Sequence, residues 1–225
     1  MITSSAQPTV FVVDDDAAVL KALSRVLRAD GWRVETFGSA EAFMAHRDAS
    51  APGCLVLDVS LPGLDGIELQ RRLTEAGHAL PIVFLTGHGD IPMSVRAIKS
   101  GAVDFLTKPV KAEVLLAAVR AAIHQDASAR RAAADRALVE QRLASLTPRE
   151  REVLAALAAG RLNKQIAADL GIVEQTVKFH RAHIMERMQA RTVAELMHIA
   201  ARLGVGQEAH VHGESTPSNQ LSPKP

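Results

Sequence analysis

Short β-type runs alternate with helical patterns through the first half of the chain, and this restricts the fold more than any other feature. The runs are TVFVV (9–13), RVETF (33–37), CLVLD (54–58), PIVFL (81–85) and VDFL (103–106). Between the first two, Val19, Leu20, Leu23, Val26 and Leu27 recur at helical spacing, and further helical patterns follow near 39–47, 65–76, 91–100 and from 111 onward. Alternation of this kind predicts an α/β fold with a doubly wound, five-stranded parallel sheet. The runs at 54 and 81 are apolar throughout, as strands covered on both faces must be.

In such a sheet, ligands bind at the carboxyl ends of the strands, near the point where the strand order reverses. The first run ends in Asp14, Asp15 and Asp16, the third in Asp58, the fourth in Thr86, and Lys108 follows the fifth. In the flavodoxin-like order 2-1-3-4-5, strands one and three are neighbours, so their carboxylates converge in one crevice beside a hydroxyl and an ammonium. Crowded acids repel one another. A hard cation such as Mg²⁺, held by carboxylate oxygens, a backbone carbonyl and water, removes that repulsion. A carboxylate can also serve as nucleophile toward phosphorus, with the metal and a lysine stabilising the transferring charge. Asp58 ends the central strand and is assigned as that nucleophile, with the strand-one acids assigned to the metal and Asp16 as a solvated neighbour. Gly87, directly after Thr86, leaves room beside Asp58.

The motifs VVDDD, LVLDVSLPGLDG, FLTGHGD and FLTKP, at these separations, resemble the receiver domain of bacterial two-component response regulators. Within that family, TGHGDIPMSVRAIKSGAVDFLTKP is similar to the FixJ-type subgroup. The resemblance implies that Asp14 and Asp15 bind Mg²⁺, that Asp58 accepts phosphate and shares in the metal site, and that the main-chain carbonyl of Ser60 completes the metal shell. It further implies a hydrogen bond from Thr86 to the phosphoryl group, pairing of Lys108 with that group, and often a cis Lys108–Pro109 bond. Phe105 occupies the place of the switch aromatic. Its ring is expected to swing into space vacated by Thr86, repacking the face formed by the 91–100 helix, the fifth strand and the helix after Lys111.

From Lys111 to Ser145 the chain has no proline or glycine, which predicts the last helix of the first domain running on into a helical linker. The polar stretch HQDASARRAAADRA is expected to be solvated in its middle, with a coiled coil bringing Leu138 and Leu143 inward as the alternative.

Four helices follow. LTPREREVLAALAAG (146–160) opens with Thr147 as N-cap, Pro148 at the first helical position and Glu150 completing a capping box, and Gly160 ends it. NKQIAADL (163–170), the Gly171 turn and EQTVKFHRAHIMERM (174–188) make a helix–turn–helix pattern, whose second helix can enter a major groove. TVAE (192–195) is a second capping box, opening a fourth helix to about Leu203. On the 174–188 helix, Val177, Ile184 and Met188 form a core stripe, while Gln175, Lys178, Phe179, Arg181, Ala182 and Met185 fall largely on the other side. Such a face suits phosphates, base edges and thymine methyls.

The wording from Leu146 to Met188 resembles the four-helix DNA-binding domain of the LuxR/FixJ/NarL class. By position, this implies base-edge contacts from Lys178, Phe179 and Ala182, and phosphate contacts from Lys164, Thr176, Arg181 and His183. His180 is expected to pack partly against the scaffold. Val173 stands where the class usually has a Ser-like N-cap, a deficit of about 1 kcal/mol.

The expected organisation is therefore a receiver domain over 7–124, a helical linker over 125–145, a DNA-binding domain over 146–205 and a disordered tail over 206–225, where His210 and His212 are solvated. The formal net charge of +1 gives no global attraction to nucleic acid, so any basic surface is local. Cys54, the only cysteine, excludes an intrachain disulfide and reads as core. The first residues lack the pattern of a signal peptide, and no stretch approaches the roughly twenty apolar residues of a membrane span. The expectation is a cytoplasmic, non-enzymatic transcription factor with no membrane partner. A histidine kinase phosphorylates it, and the altered face promotes dimerisation or releases an inhibitory domain contact. The 192–203 helix (Leu196, Ile199, Leu203) is read as core packing in large part and as a further dimer surface, and the protein binds double-stranded promoter DNA and engages RNA polymerase. Two rivals differ in class. An aspartyl-phosphate phosphatase predicts a second acid two residues after Asp58, where Ser60 stands, and a DNA-binder with a non-switching receiver predicts an incomplete acidic, Thr and Lys set.

Overall fold

The computed structural model describes residues 7–46, 51–77, 80–87 and 101–205. The helix expected over 91–100 and the tail with His210 and His212 lie outside the described residues. The chain divides into two compact units, Met1–Ala132 and Ala133–Pro225.

In the first unit five parallel strands, β1 (Thr9–Val13), β2 (Arg33–Phe37), β3 (Gly53–Asp58), β4 (Ile82–Thr86) and β5 (Asp104–Thr107), lie in the order β2-β1-β3-β4-β5. The order is the expected one; β3 starts one residue earlier, and β4 and β5 each sit one residue later, than the apolar runs suggest. Side chains alternate across a strand, so the sheet feeds two cores. Phe11, Val13, Leu55, Leu57 and Phe84 pack with residues of α2 (Ala40–His46) and α3 (Gly66–Glu75). Val10, Val12, Val56, Val83 and Leu85 pack with α1 (Ala17–Ala29) and α4 (Ala112–Ala144). Cys54 is fully buried in this second core, and burial pushes its thiol up to about 12, so it is inert filler.

The helix α4 is continuous through the stretch expected as a linker, and residues 131–138 are exposed. Leu138 is among them, while Leu143 joins the core of the second unit.

The described residues of that second unit carry helices and no strand: α5 (Pro148–Ala158), α6 (Asn163–Asp169), α7 (Glu174–Met188) and α8 (Val193–Arg202) follow the end of α4. Val153, Leu154, Ile166, Val177, Ile184 and Met188 are fully buried at its centre. The Thr147–Glu150 capping box is present as expected. At the start of α8 only half of one forms: Thr192 Oγ1 accepts from the Glu195 N–H at 3.1 Å, but the Glu195 carboxylate accepts from Arg191, one residue before the cap. Met185, expected on the outer face, packs partly against the core. It lies four residues after Arg181 and next to Ile184, within the broad stripe that a helix on a globular core buries.

Candidate phosphoryl and DNA-binding sites

The strand register brings the candidate residues of the first unit together. Val13 lies opposite Leu57, so Asp14 and Asp58 leave the sheet side by side. Thr86 lies opposite Thr107, which puts Lys108 one step beyond, and the Lys108 N–H donates to the Thr86 carbonyl at 2.7 Å. The Lys108 ammonium turns back over the rim, 2.6 Å from Asp14 Oδ2 and 2.9 Å from Asp58 Oδ2. The other oxygens are held by local N–H groups: Asp14 Oδ1 accepts from Asp16 at 3.0 Å and Asp58 Oδ1 from Ser60 at 3.2 Å.

Asp14, Asp58 and Thr86 are buried, and Asp15 is exposed beside them. Burial pushes the Asp14 carboxyl above the ordinary aspartate range. The hydrogen bonds from Lys108 and from the Asp16 N–H only partly offset this, and the charge of Asp58 adds to it. Burial would lower Lys108, but its bonds to the two carboxylates outweigh that and hold its pKa above the usual lysine value. One ammonium between two carboxylates leaves negative charge in excess, and Asp15 adds more. One oxygen from each of Asp14, Asp15 and Asp58 lies within 4.8 Å of the others. This all-oxygen, mostly carboxylate donor set fits a small hard cation.

Two further residues shape the surroundings of the crevice, Asp16 in a role beyond the one expected and Gly66 in one the motifs did not announce. Asp16, expected as a solvated bystander, is the N-cap of α1: its Oδ1 accepts from Ala18 at 2.7 Å and from Val19 at 3.4 Å. Gly66, at the start of α3, lies so close that a Cβ there would sit 2.3 Å from the Asp58 carbonyl oxygen. A side chain at 66 would therefore push the residue that ends β3. The signal was the glycine directly after the capping Asp65, a place where the cap itself demands none. At Gly87 a Cβ would meet nothing within 4 Å among the described residues, consistent with open space beside the crevice. The Lys108–Pro109 bond is cis. Phe105 is half-buried, its ring centre 6.1 Å from that of Phe84.

In the second unit, Gly171 in the left-handed region (φ 63°) turns the chain between α6 and α7. Lys178, Phe179 and Ala182 are exposed on α7, and Phe179 is 58% accessible although aromatic. Lys178 Nζ lies 3.5 Å from Glu174 Oε1, a solvated pair worth little. Lys164 is exposed on the first turn of α6, and Thr176 is half-buried. Arg181 is half-buried, its Nη1 donating to Asn163 Oδ1 at 2.7 Å. His183 lies beneath Phe179 with ring centres 4.1 Å apart, and its Nδ1 is 3.9 Å from the buried carboxylate of Glu150. His180 is half-buried, as expected. Val173 offers no side-chain cap to α7. Among the described residues, no helix is long and apolar enough to cross a membrane.

Comparison with known proteins divides the chain in the same way. Residues 10–120 match the response regulator receiver domain, and residues 144–200 match the bacterial regulatory proteins of the luxR family. Nodulation protein W of Bradyrhizobium diazoefficiens is 43% identical over 213 residues, covering 95% of this chain and 92% of that protein. The transcriptional regulatory protein FixJ of the same organism is 42% identical over 196 residues, covering 87% of this chain and 96% of that one. The low-resolution structure of the response regulator StyR aligns with a TM-score of 0.79 at 48% identity, over 88% of this chain and 100% of that chain.

Proposed function

The chain belongs to the two-component response regulators that carry a receiver domain and a LuxR-type DNA-binding domain, and on that premise we propose that phosphate donated by a partner histidine kinase is carried on Asp58 and controls promoter binding. The observation that supports Asp58 most directly is the Lys108 ammonium lodged between Asp14 and Asp58 at the strand ends, with Thr86 beside them. In the transfer, an Asp58 carboxylate oxygen attacks phosphorus. The P–N bond to the kinase histidine breaks, its electron pair returns to the imidazole, and an acyl phosphate forms. Lys108 exchanges a carboxylate partner for the phosphoryl oxygens, and the Thr86 hydroxyl donates a hydrogen bond to them. Asp14, Asp15, Asp58 and the main-chain carbonyl of Ser60 would hold Mg²⁺, which when bound supplies positive charge against the crowded acids and the phosphoryl group.

Movement of Thr86 toward the phosphoryl group frees space that the Phe105 ring fills, and the altered surface promotes dimerisation. Paired helical units then bind a two-fold or repeated promoter site. Lys178, Phe179 and Ala182 meet base edges, Lys164 and Thr176 meet phosphates, and the bound protein engages RNA polymerase in the cytoplasm. An aspartyl-phosphate phosphatase would need an acid at position 60, where the chain has Ser60.

Acetyl phosphate with Mg²⁺ tests this reading. Wild-type protein is expected to take up label, shift toward dimer on a sizing column and bind duplex DNA more tightly. Asp58→Asn is expected to do none of these, and label on that variant would move the acceptor elsewhere. Rapid multiple turnover of a small phosphate ester by the wild type would favour the phosphatase.

A further inference from the structure

We propose that Arg181 is a positioning residue of the DNA-binding unit and not a phosphate contact: its guanidinium locks the recognition helix α7 onto the first turn of α6 through Asn163. Arg181 lies four residues after the buried Val177 and three before the buried Ile184, so it flanks the core stripe of α7, whereas Lys178 and Ala182 lie on the exposed side. It is half-buried, and Nη1 donates to Asn163 Oδ1 at 2.7 Å. A charged donor on a short, part-buried hydrogen bond is among the stronger polar contacts available to a small helical unit. Asn163 immediately precedes the exposed Lys164. The bond therefore fixes the spacing between a cation placed for phosphate and the base-reading side chains Lys178, Phe179 and Ala182. An arginine spent on this lock sets the angle at which α7 enters a groove.

The two roles leave different signatures. A phosphate contact weakens binding to all sequences alike, and its loss lowers the salt slope of log affinity by about one. A positioning residue weakens specific binding more than non-specific binding and leaves the slope unchanged.

The test uses the full-length chain with two probes: a duplex selected from a randomised pool by the wild-type protein with acetyl phosphate and Mg²⁺, and a scrambled duplex. Arg181→Ala, Arg181→Lys and Asn163→Ala are each expected to lose on the order of 10-fold in affinity for the selected duplex, with little change on the scrambled one and unaltered salt slopes. Arg181→Lys belongs in the set because it keeps the charge but not the planar fork. In urea unfolding, the Arg181→Ala and Asn163→Ala losses should not add in the double variant. Near-wild-type binding by Arg181→Lys, a slope reduced by about one in Arg181→Ala and a silent Asn163→Ala would overturn the proposal. Should the wild type select no duplex, the DNA-binding reading itself fails. The unfolding cycle still decides the lock, because additive losses there refute it.

Discussion

Asp14, Asp15 and Asp16 are adjacent in sequence yet face three different environments. Asp14 is buried against Lys108, Asp15 is exposed within reach of the other two carboxylates, and Asp16 turns away to cap α1. The strand-end position made the first two legible as candidate ligands. The cap was equally readable, an Asp immediately before a helical pattern, but it was masked by being the third of three like charges. Substitution separates the roles. Asp16→Ala is expected to cost about 1 kcal/mol in urea unfolding, the usual loss of an N-cap, while leaving the Mg²⁺ affinity of the full chain within about twofold in calorimetric titration. Asp15→Asn should do the reverse, losing Mg²⁺ affinity with little change in stability, since its exposed carboxylate caps no helix among the described residues. Equal loss of Mg²⁺ affinity in both variants would show that Asp16 belongs to the site.

At the level of elements, helix ends were well marked in the sequence, but their side-chain detail was not. Thr192 and Glu195 have the letters of a capping box and form only half of one, because the carboxylate finds the Arg191 N–H. Thr147 and Glu150 form the full box, and Glu150 does more than the motif announces. Its carboxylate is buried, accepts from the Thr147 N–H at 2.8 Å and hydroxyl at 3.0 Å, and faces Arg187 and His183 across from α7. Burial alone would raise its pKa, but the Thr147 bonds and the neighbouring Arg187 and His183 side chains outweigh it and leave the carboxyl below the ordinary glutamate range. Because the folded pKa is depressed, the stabilisation is complete above the unfolded value and is lost as pH falls through the folded one. Thermal unfolding of wild type and Glu150→Gln should therefore differ most near neutral pH, with the variant lower by about 1–3 kcal/mol for a buried, charge-assisted bond. The difference should shrink as pH drops below the glutamate range. A gap that stays constant with pH would mean that the carboxylate's charge contributes nothing.

For the molecule as a whole, the features written in local pattern were readable: strand–helix alternation announced a doubly wound parallel sheet, its order came with the flavodoxin-like topology, and caps and glycine turns marked the helices of the second unit. Polar pairs between distant segments have no such pattern, and α4 holds the clearest case. HQDASARRAAADRA reads as a solvated run, and residues 131–138 are indeed exposed. Asp126 is not. It is 4% accessible, and its Oδ2 accepts the Gly53 N–H at 3.0 Å and the Arg130 Nε–H at 2.8 Å, while Arg130 Nη2 donates to the Ala51 carbonyl at 2.8 Å. This ties the helix beyond Ala122, its last buried apolar residue, to the start of β3, the strand whose far end is Asp58. No apolar periodicity could announce it, since the group that completes it lies 73 residues away in the chain. Removing one partner of a buried, charge-assisted contact costs more than the contact contributes, because the others lose their solvation without compensation. Asp126→Ala is therefore expected to destabilise the first unit by roughly 2–3 kcal/mol in urea unfolding, and Asp126→Asn, which keeps an acceptor for Gly53, by about half as much. Hydrogen exchange should localise the loss to the Gly53 amide and to α4 beyond Ala122, with β1 and the start of α4 still protected. Uniformly lowered protection would show that the pair only adds to global stability, and unchanged exchange at Gly53 would show that Asp126 does not hold the strand.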